Sequence, residues 1–358
     1  MHLTSPLRVL LVGAGNMGSL HAQVLSRSDA CELVGVVDPD ETVGRTLAER
    51  HDRPWYPELD GQLHRHVDAV VLATPTPHHH RLALQILDAG KPLLIEKPVC
   101  DGLSATREVL DAAEKNDVPL LCGLLERYNP AILTGFALLR NPVHITAVRH
   151  SPYAPRIRTG VAWDLLLHDV DLVVRAFGGM TPIRAKGTVG RFHPVSADDA
   201  EDVADAVLTF PGGGLGTVSA SRLGQRKVRS IVVAELDRLI ELDLLLRDVT
   251  IYRHVPPEAA SADGGGHRQQ TVIEIPELVT ATEPLVAQLE HFTALARGQT
   301  DAAAERATIL PPHQIVDQVL SQSVDETQTQ GPASAAAPPP PGARDRESAV
   351  ADFTGALR

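Results

Sequence analysis

The stretch that decides the fold is "VLLVGAGNMGSLH", residues 9–21. It begins as a run of branched apolar residues of strand length and turns at once through Gly13, Gly15 and Gly18, spaced G-x-G-x-x-G, into a helical pattern. Gly13 permits a tight turn, Gly15 lets a backbone approach a pyrophosphate, and Gly18 lets helix and strand pack closely. The turn places unpaired N–H groups and the positive end of a helix dipole, including those of Asn16 and Met17, where an anion can sit. Twenty residues beyond Gly18, Asp38 closes the next strand-like run. An acid at that point accepts hydrogen bonds from adenine-ribose hydroxyls and repels a 2′-phosphate, so the pattern predicts NAD rather than NADP.

The pattern repeats outward from this stretch. "CELVGVVD" (31–38), "AVVLAT" (69–74), "LLIEK" (93–97) and "PLLCGL" (119–124) are further buried-strand runs, separated by segments of helical spacing. Strand–helix alternation with near-continuous apolar strands predicts a doubly wound parallel sheet over residues 1–125. Beyond it, "NPAILTGFALLR" (129–140) reads as a linking helix and "VHITAVRHSPY" (143–153) as a strand, followed by a helix at about 162–177. A series of alternating strands then runs through "PGGG", and "PLVAQLEHFTALARG" (284–298) returns as a helix. Residues 126–325 are thus expected to form an α/β domain around an open, largely antiparallel sheet. Its uncovered face suits contact with a second copy of the chain. The Gly-rich segment 256–270 and the Ala/Pro-rich tail 326–358 lack the apolar content to fold.

The composition is that of a globular protein, 43% hydrophobic and 22% charged, with a net charge of −12. That charge argues against nucleic-acid and anionic-membrane partners. No apolar run reaches membrane-spanning length and no secretory leader is evident, so a cytoplasmic location is expected. Cys31, Cys100 and Cys122 are an odd, scattered set that reads as reduced core thiols.

Two motifs fall at the carboxyl ends of predicted strands, where open parallel sheets bind ligands: "ATPTPHHH" (73–80) and "IEKPV" (95–99). Lys97 ends a buried strand beside a proline, a poor place for an idle charge. In "AWDLLLHDVDLVVRAFGG" (162–179), an otherwise apolar helix carries Asp164, His168 and Asp171. At 100° per residue these three fall on one stripe, read either as a satisfied core histidine or as a functional face. Consecutive histidines 78–80 cannot converge on one ion, and no metal site is expected.

Together these motifs, in this order and spacing over about residues 7–180, resemble the glucose–fructose oxidoreductase, inositol dehydrogenase and rhizopine catabolism (Gfo/Idh/MocA) family. The resemblance implies an NAD(P)-binding Rossmann domain, a second α/β domain with an open sheet, and oxidoreduction of sugars or cyclitols without a metal. It implies that Lys97, Asp164 and His168 are the catalytic set, with Asp171 matching an acid that often follows the histidine. Thr74, Pro75, His78, Glu96 and Lys97 are implied to lie by the cofactor, commonly with a cis peptide before Pro98, while His79 and His80 are incidental. The polar stripe is then expected to face the nicotinamide, Asp164 binding substrate and steadying the imidazole. His168 or Lys97 could be the base. "GLLERYNPAI" (123–132) is similar to a segment of members that oxidise C3 of nucleotide-linked hexoses before transamination. Tyr153, Arg156 and Arg158 either bind a substrate phosphate or carboxylate or form a solvated loop. An aminoglycoside-type glycoside suits the acidic charge, and a cyclitol and a non-enzymatic NAD-binding sensor are the alternatives.

Overall fold

The computed structural model describes residues 5–64, 66–155, 159–197, 200–255 and 270–329. Arg156, Arg158, most of the 256–270 segment and the tail from residue 330 lie outside them. Six strands form the first sheet: β1 (Leu7–Val12), β2 (Cys31–Val37), β3 (Trp55–Tyr56), β4 (Ala69–Leu72), β5 (Leu93–Ile95) and β6 (Leu120–Cys122). All pair in parallel, in the order β3-β2-β1-β4-β5-β6. Helices α1 (Asn16–Leu25), α2 (Glu41–Arg50), α3 (His79–Asp88) and α4 (Leu103–Lys115) cover its faces. Central residues such as Val9, Leu11, Val70, Val71 and Leu94 are wholly buried, as strands sandwiched between helices require. The strand order reverses between β1 and β4, which opens a crevice at their carboxyl ends. The two-residue β3 was too short to be read from the sequence.

After α5 (Pro130–Ala137) comes an eight-stranded sheet. Its strands are β7 (His144–His150), β8 (Arg184–Gly190), β9 (Val203–Thr209), β10 (Leu215–Ser221), β11 (Val228–Ala234), β12 (Leu239–Asp243), β13 (Asp248–Val255) and β14 (Gln270–Glu274). The order is β14-β13-β12-β11-β7-β10-β9-β8, antiparallel throughout except for the parallel pair β7–β10. Helix α6 (Leu167–Ala176) lies so close to β10 that a Cβ on Gly216 would come within 2.6 Å of Val173.

Three helices follow: α7 (Pro284–Ala296), α8 (Ala302–Ala307) and α9 (Leu310–Thr329). Leu289, Phe292 and Leu295 of α7 pack into the core of the first sheet with Leu7 and Cys31, so the chain returns to where it started. Helix α9 buries Val316 and Val319, the latter against Gly187 of β8. Among the described residues, no helix is long and apolar enough to cross a membrane. The three cysteines are free and buried, and burial pushes the Cys100 thiol up to about 12.

Candidate active site

The Gly-rich turn is built as its spacing requires. Gly13 has φ +102°, and a Cβ there would sit 2.5 Å from the Ala73 carbonyl oxygen. A Cβ on Gly18 would meet the Gly13 carbonyl oxygen at 2.0 Å. At Gly15 it would meet nothing within 4 Å, so the surface there is open. Gly15 caps α1 without any side-chain acceptor, leaving the first helical N–H groups for a ligand. Asp38 accepts from the Ala14 N–H at 2.7 Å and the Asp40 N–H at 2.9 Å, which holds the turn to β2 and leaves lone pairs for further donors. Next to Gly13, the Thr74 Oγ1 is buried and has no partner. Open glycine, uncapped helix start, half-buried acid and orphan hydroxyl together fit a dinucleotide.

Met17 carries this surface into a cleft of about 530 Å³ between the two sheets. Glu96 and Lys97 reach it from β5, and Asp164, Leu165 and His168 from the helix that begins α6; Tyr153, Arg222 and Arg229 also line it. The Lys97–Pro98 peptide is cis. Lys97 Nζ donates to Asp164 Oδ1 at 2.8 Å and to the Asp164 carbonyl at 2.7 Å. Arg222 donates to Asp164 Oδ2 at 2.9 Å. Burial works against the Asp164 charge, but Lys97 and Arg222 outweigh it and hold its pKa below the ordinary carboxylate value. His168 goes the other way: burial first, then Lys97, Arg149 and Arg229, keep its imidazole neutral, with a pKa well below 6.5. Its Nδ1 is buried without a partner.

The polar stripe is divided. Residues Ala162–Leu166 form a π-helical segment, whose wider turn rotates everything after it relative to Asp164. Asp171 therefore turns away from the cleft and takes both prongs of Arg127, at 2.6 and 2.8 Å, with both side chains 3% exposed. Asp164 and His168 share the cleft, but the Asp164 carboxylate is occupied by Lys97 and Arg222 and makes no hydrogen bond to the imidazole. Glu96 lines the cleft while its Oε1 accepts from His21 at 2.8 Å.

His78 is exposed on the turn Thr76–His78. His79, set aside from the sequence as incidental, is buried with its ring nitrogens 2.8 and 3.0 Å from the Thr74 and Pro98 carbonyl oxygens, and its N–H donates to one of them. His313 completes this clamp from α9: its Nε2 accepts the Val99 N–H at 3.2 Å, and its Nδ1 donates to the Ile309 carbonyl at 2.7 Å. Arg149 and Arg229 lie on β7 and β11, Arg222 just past β10 and His313 on α9, and they escape sequence reading because none belongs to the motifs. Tyr153 does line the cleft, its ring stacked 3.5 Å from that of His193.

Residues 7–124 match the oxidoreductase family GFO/IDH/MocA with its NAD-binding Rossmann fold, and residues 140–236 match the family's C-terminal domain. The chain is 30% identical over 253 residues to the UDP-N-acetylglucosamine 3-dehydrogenase of Acidithiobacillus ferrooxidans, covering 69% of this chain and 77% of that one. The chain belongs to the GFO/IDH/MocA family. It is an oxidoreductase with an NAD-binding domain, which the Gly-rich turn and Asp38 fit. The solved structure of that same 3-dehydrogenase superposes with a TM-score of 0.71 at 26% identity, over 87% of this chain and 98% of that one. GenD2 from gentamicin A biosynthesis, solved with NAD, shares the family fold at 24% identity and a TM-score of 0.73, over 90% and 96% of the two chains. An inositol 2-dehydrogenase from Rubrobacter xylanophilus is 36% identical over 127 residues, 35% of this chain and 37% of that one.

Proposed function

We propose that this family member oxidises a secondary ring hydroxyl, the C3 hydroxyl of a hexose in a nucleotide sugar or an aminoglycoside-type glycoside, to a ketone that a transamination can then consume. The observation that carries the reading is His168, its Nδ1 without a hydrogen-bond partner, in the same cleft as a charged Lys97–Asp164–Arg222 chain. Bound NAD+ supplies the acceptor for the hydride leaving the carbinol carbon. His168 takes the hydroxyl proton, which a neutral imidazole can do and an imidazolium cannot. Lys97 spends two of its hydrogens on Asp164 and keeps a third for the substrate oxygen, stabilising alkoxide character as it develops. Asp164 keeps Lys97 charged and aimed, so it acts on the substrate chiefly through Lys97.

The 3-dehydrogenase relative supports the C3 hydroxyl, whereas the inositol dehydrogenase likeness spans a third of the chain. Within "GLLERYNPAI", only Gly123, Leu125 and Glu126 line the cleft; Arg127 and Asn129 are framework, pairing with Asp171 and capping α5. The complete Lys97, Asp164 and His168 set favours an enzyme over a sensor. The uncovered face of the second sheet, where Thr146, Lys186, Val207 and Ser219 lie, suits packing of a second copy, to be read by light scattering.

The test is NADH formation with NAD+ across UDP-hexoses, UDP-N-acetylhexosamines, aminoglycoside pseudosaccharides and inositols, with Lys97→Ala alongside. Turnover of a hexose derivative, lost in the variant, is expected. Turnover of inositol alone overturns the hexose reading, and NAD binding without any turnover favours the sensor.

A further inference from the structure

The protein and its cleft differ in sign. The chain carries −12, yet among the described residues lining the cleft, Lys97, Arg149, Arg222, Lys227 and Arg229 face only Glu96, Glu126 and Asp164. Those acids are already engaged. Glu96 holds His21, Asp164 holds Lys97 and Arg222, and Glu126 Oε1 accepts from Arg149 at 2.9 Å. Asp169, behind the cleft, is bound on both oxygens by Arg149.

Arg229 is left with a poor share. It lies directly opposite Arg149 in the β7–β11 ladder, where like charges repel. Its acceptor is the Glu126 oxygen that Arg149 already holds, at a long 3.3 Å, and its side chain is 39% exposed. Lys227, two residues earlier, is exposed at the same cleft. Deeper in, Arg222 is 3% exposed on its side chain, and its Nε is buried with no acceptor. A guanidinium N–H left so is costly unless something else supplies the acceptor. Cations concentrated in a cleft of an acidic protein also focus field toward an anionic ligand that the outer surface would repel.

We propose that this end of the cleft is an anion subsite in which Arg229 and Lys227, with the charge of Arg222 behind them, hold a phosphate ester or diphosphate on the sugar substrate. The proposal rests on the dehydrogenase reading above and narrows it. The substrate is a phosphorylated or nucleotide-linked hexose, and a polyamino glycoside is disfavoured because its ammonium groups would be desolvated against guanidinium groups.

Calorimetric binding to the NAD-loaded protein tests this with UDP-N-acetylglucosamine, N-acetylglucosamine 1-phosphate, the uncharged methyl glycoside of N-acetylglucosamine, and the polycation neamine. Both phosphorylated sugars are expected to bind at least tenfold more tightly than the methyl glycoside. That advantage should shrink at least tenfold in the Arg229→Gln/Lys227→Gln double variant and fall as salt is raised, with Arg229→Lys intermediate. Equal binding of charged and uncharged sugars, tighter binding of neamine, or a double variant that keeps the full advantage overturns the subsite. If the phosphorylated sugars bind in the expected pattern but yield no NADH, the subsite stands and the dehydrogenase reading falls. Preferential oxidation of the uncharged sugar or neamine does the reverse.

Discussion

Lys97 and Asp164 are joined twice, the ammonium donating to the carboxylate at 2.8 Å and to the backbone carbonyl of the same residue at 2.7 Å. One partner lies two residues past a strand of the first sheet and the other sits in a π-helical turn over the second. The charged chain of the site thus exists only where the two halves of the molecule meet. Lys97→Met should cut kcat by about 10²–10⁴-fold, the range of a lost proton-handling or oxyanion-stabilising group. Lys97→Arg should not restore it, since a guanidinium differs in shape and donor geometry. Steady-state NADH formation measures both, and near-normal turnover by Lys97→Met would remove Lys97 from the mechanism.

Asp164 and Asp171, identical in type and seven residues apart, should fail differently. Asp171→Asn breaks a fully buried pair with Arg127 and should cost about 3–5 kcal/mol of stability. The Asp164 side chain is 24% exposed and an asparagine there keeps an amide oxygen for Arg222, so Asp164→Asn should lose less stability but most of kcat, because its damage falls on Lys97. Denaturant unfolding and turnover on the same two preparations separate the cases; equal stability losses would show that the division of the stripe is wrong.

The three glycines of the turn offer a cleaner separation. Gly18→Ala drives a Cβ to 2.0 Å from the Gly13 carbonyl and should destabilise the fold. Gly15→Ala meets no protein atom, so its stability should change by at most about 1 kcal/mol, the scale of a helix-cap substitution. Its NAD affinity should nevertheless drop at least tenfold, because the added methyl occupies the surface a pyrophosphate approaches. Thermal melts with and without NAD would decide it.

Two histidines whose pKa values are held low contribute to the pH behaviour. Burial holds His313 down to about 4 and keeps His168 well below its ordinary 6.5. At these two sites the unfolded chain therefore binds more protons than the native one between those values, so their contribution to stability is full above about pH 7 and is lost as pH falls from about 6.5 toward 4. His313 alone should account for about 3 kcal/mol at the acid end. His313→Gln should flatten the acid side of a Tm-against-pH curve. The acid limb of kcat/KM, reporting His168, should lie well below pH 6.5; a limb at 6.5 or above would reassign the base.

Most of the first sheet was legible because its strands are buried on both faces, so "LLIEK" and "AVVLAT" stand out by composition alone. Lys97, Asp164 and His168 were legible because each motif is local. The fate of Asp171 was not: a 100° wheel presumes an α-helix, and the π turn at Ala162–Leu166 breaks that presumption without any marker in the sequence. Helices α8 and α9 were missed, although the prolines of "LPPH" fall in the first turn of α9, where a helix accepts them. His313 and Arg222 depend on docking between distant elements, which periodicity does not encode.

The single parallel pair in the second sheet has a lasting effect on what this architecture can become. Because β7 and β10 run the same way, His150 and Ser221 end side by side, and the loops that follow them, carrying Tyr153 and Lys227, open at one end. Arg222, the first residue past β10, must stay to hold Asp164, but the described residues beyond it and Tyr153 can change while Lys97 and His168 stay fixed. Substrate preference can thus be rewritten over two short segments, which makes the scaffold readily evolvable from one sugar to another.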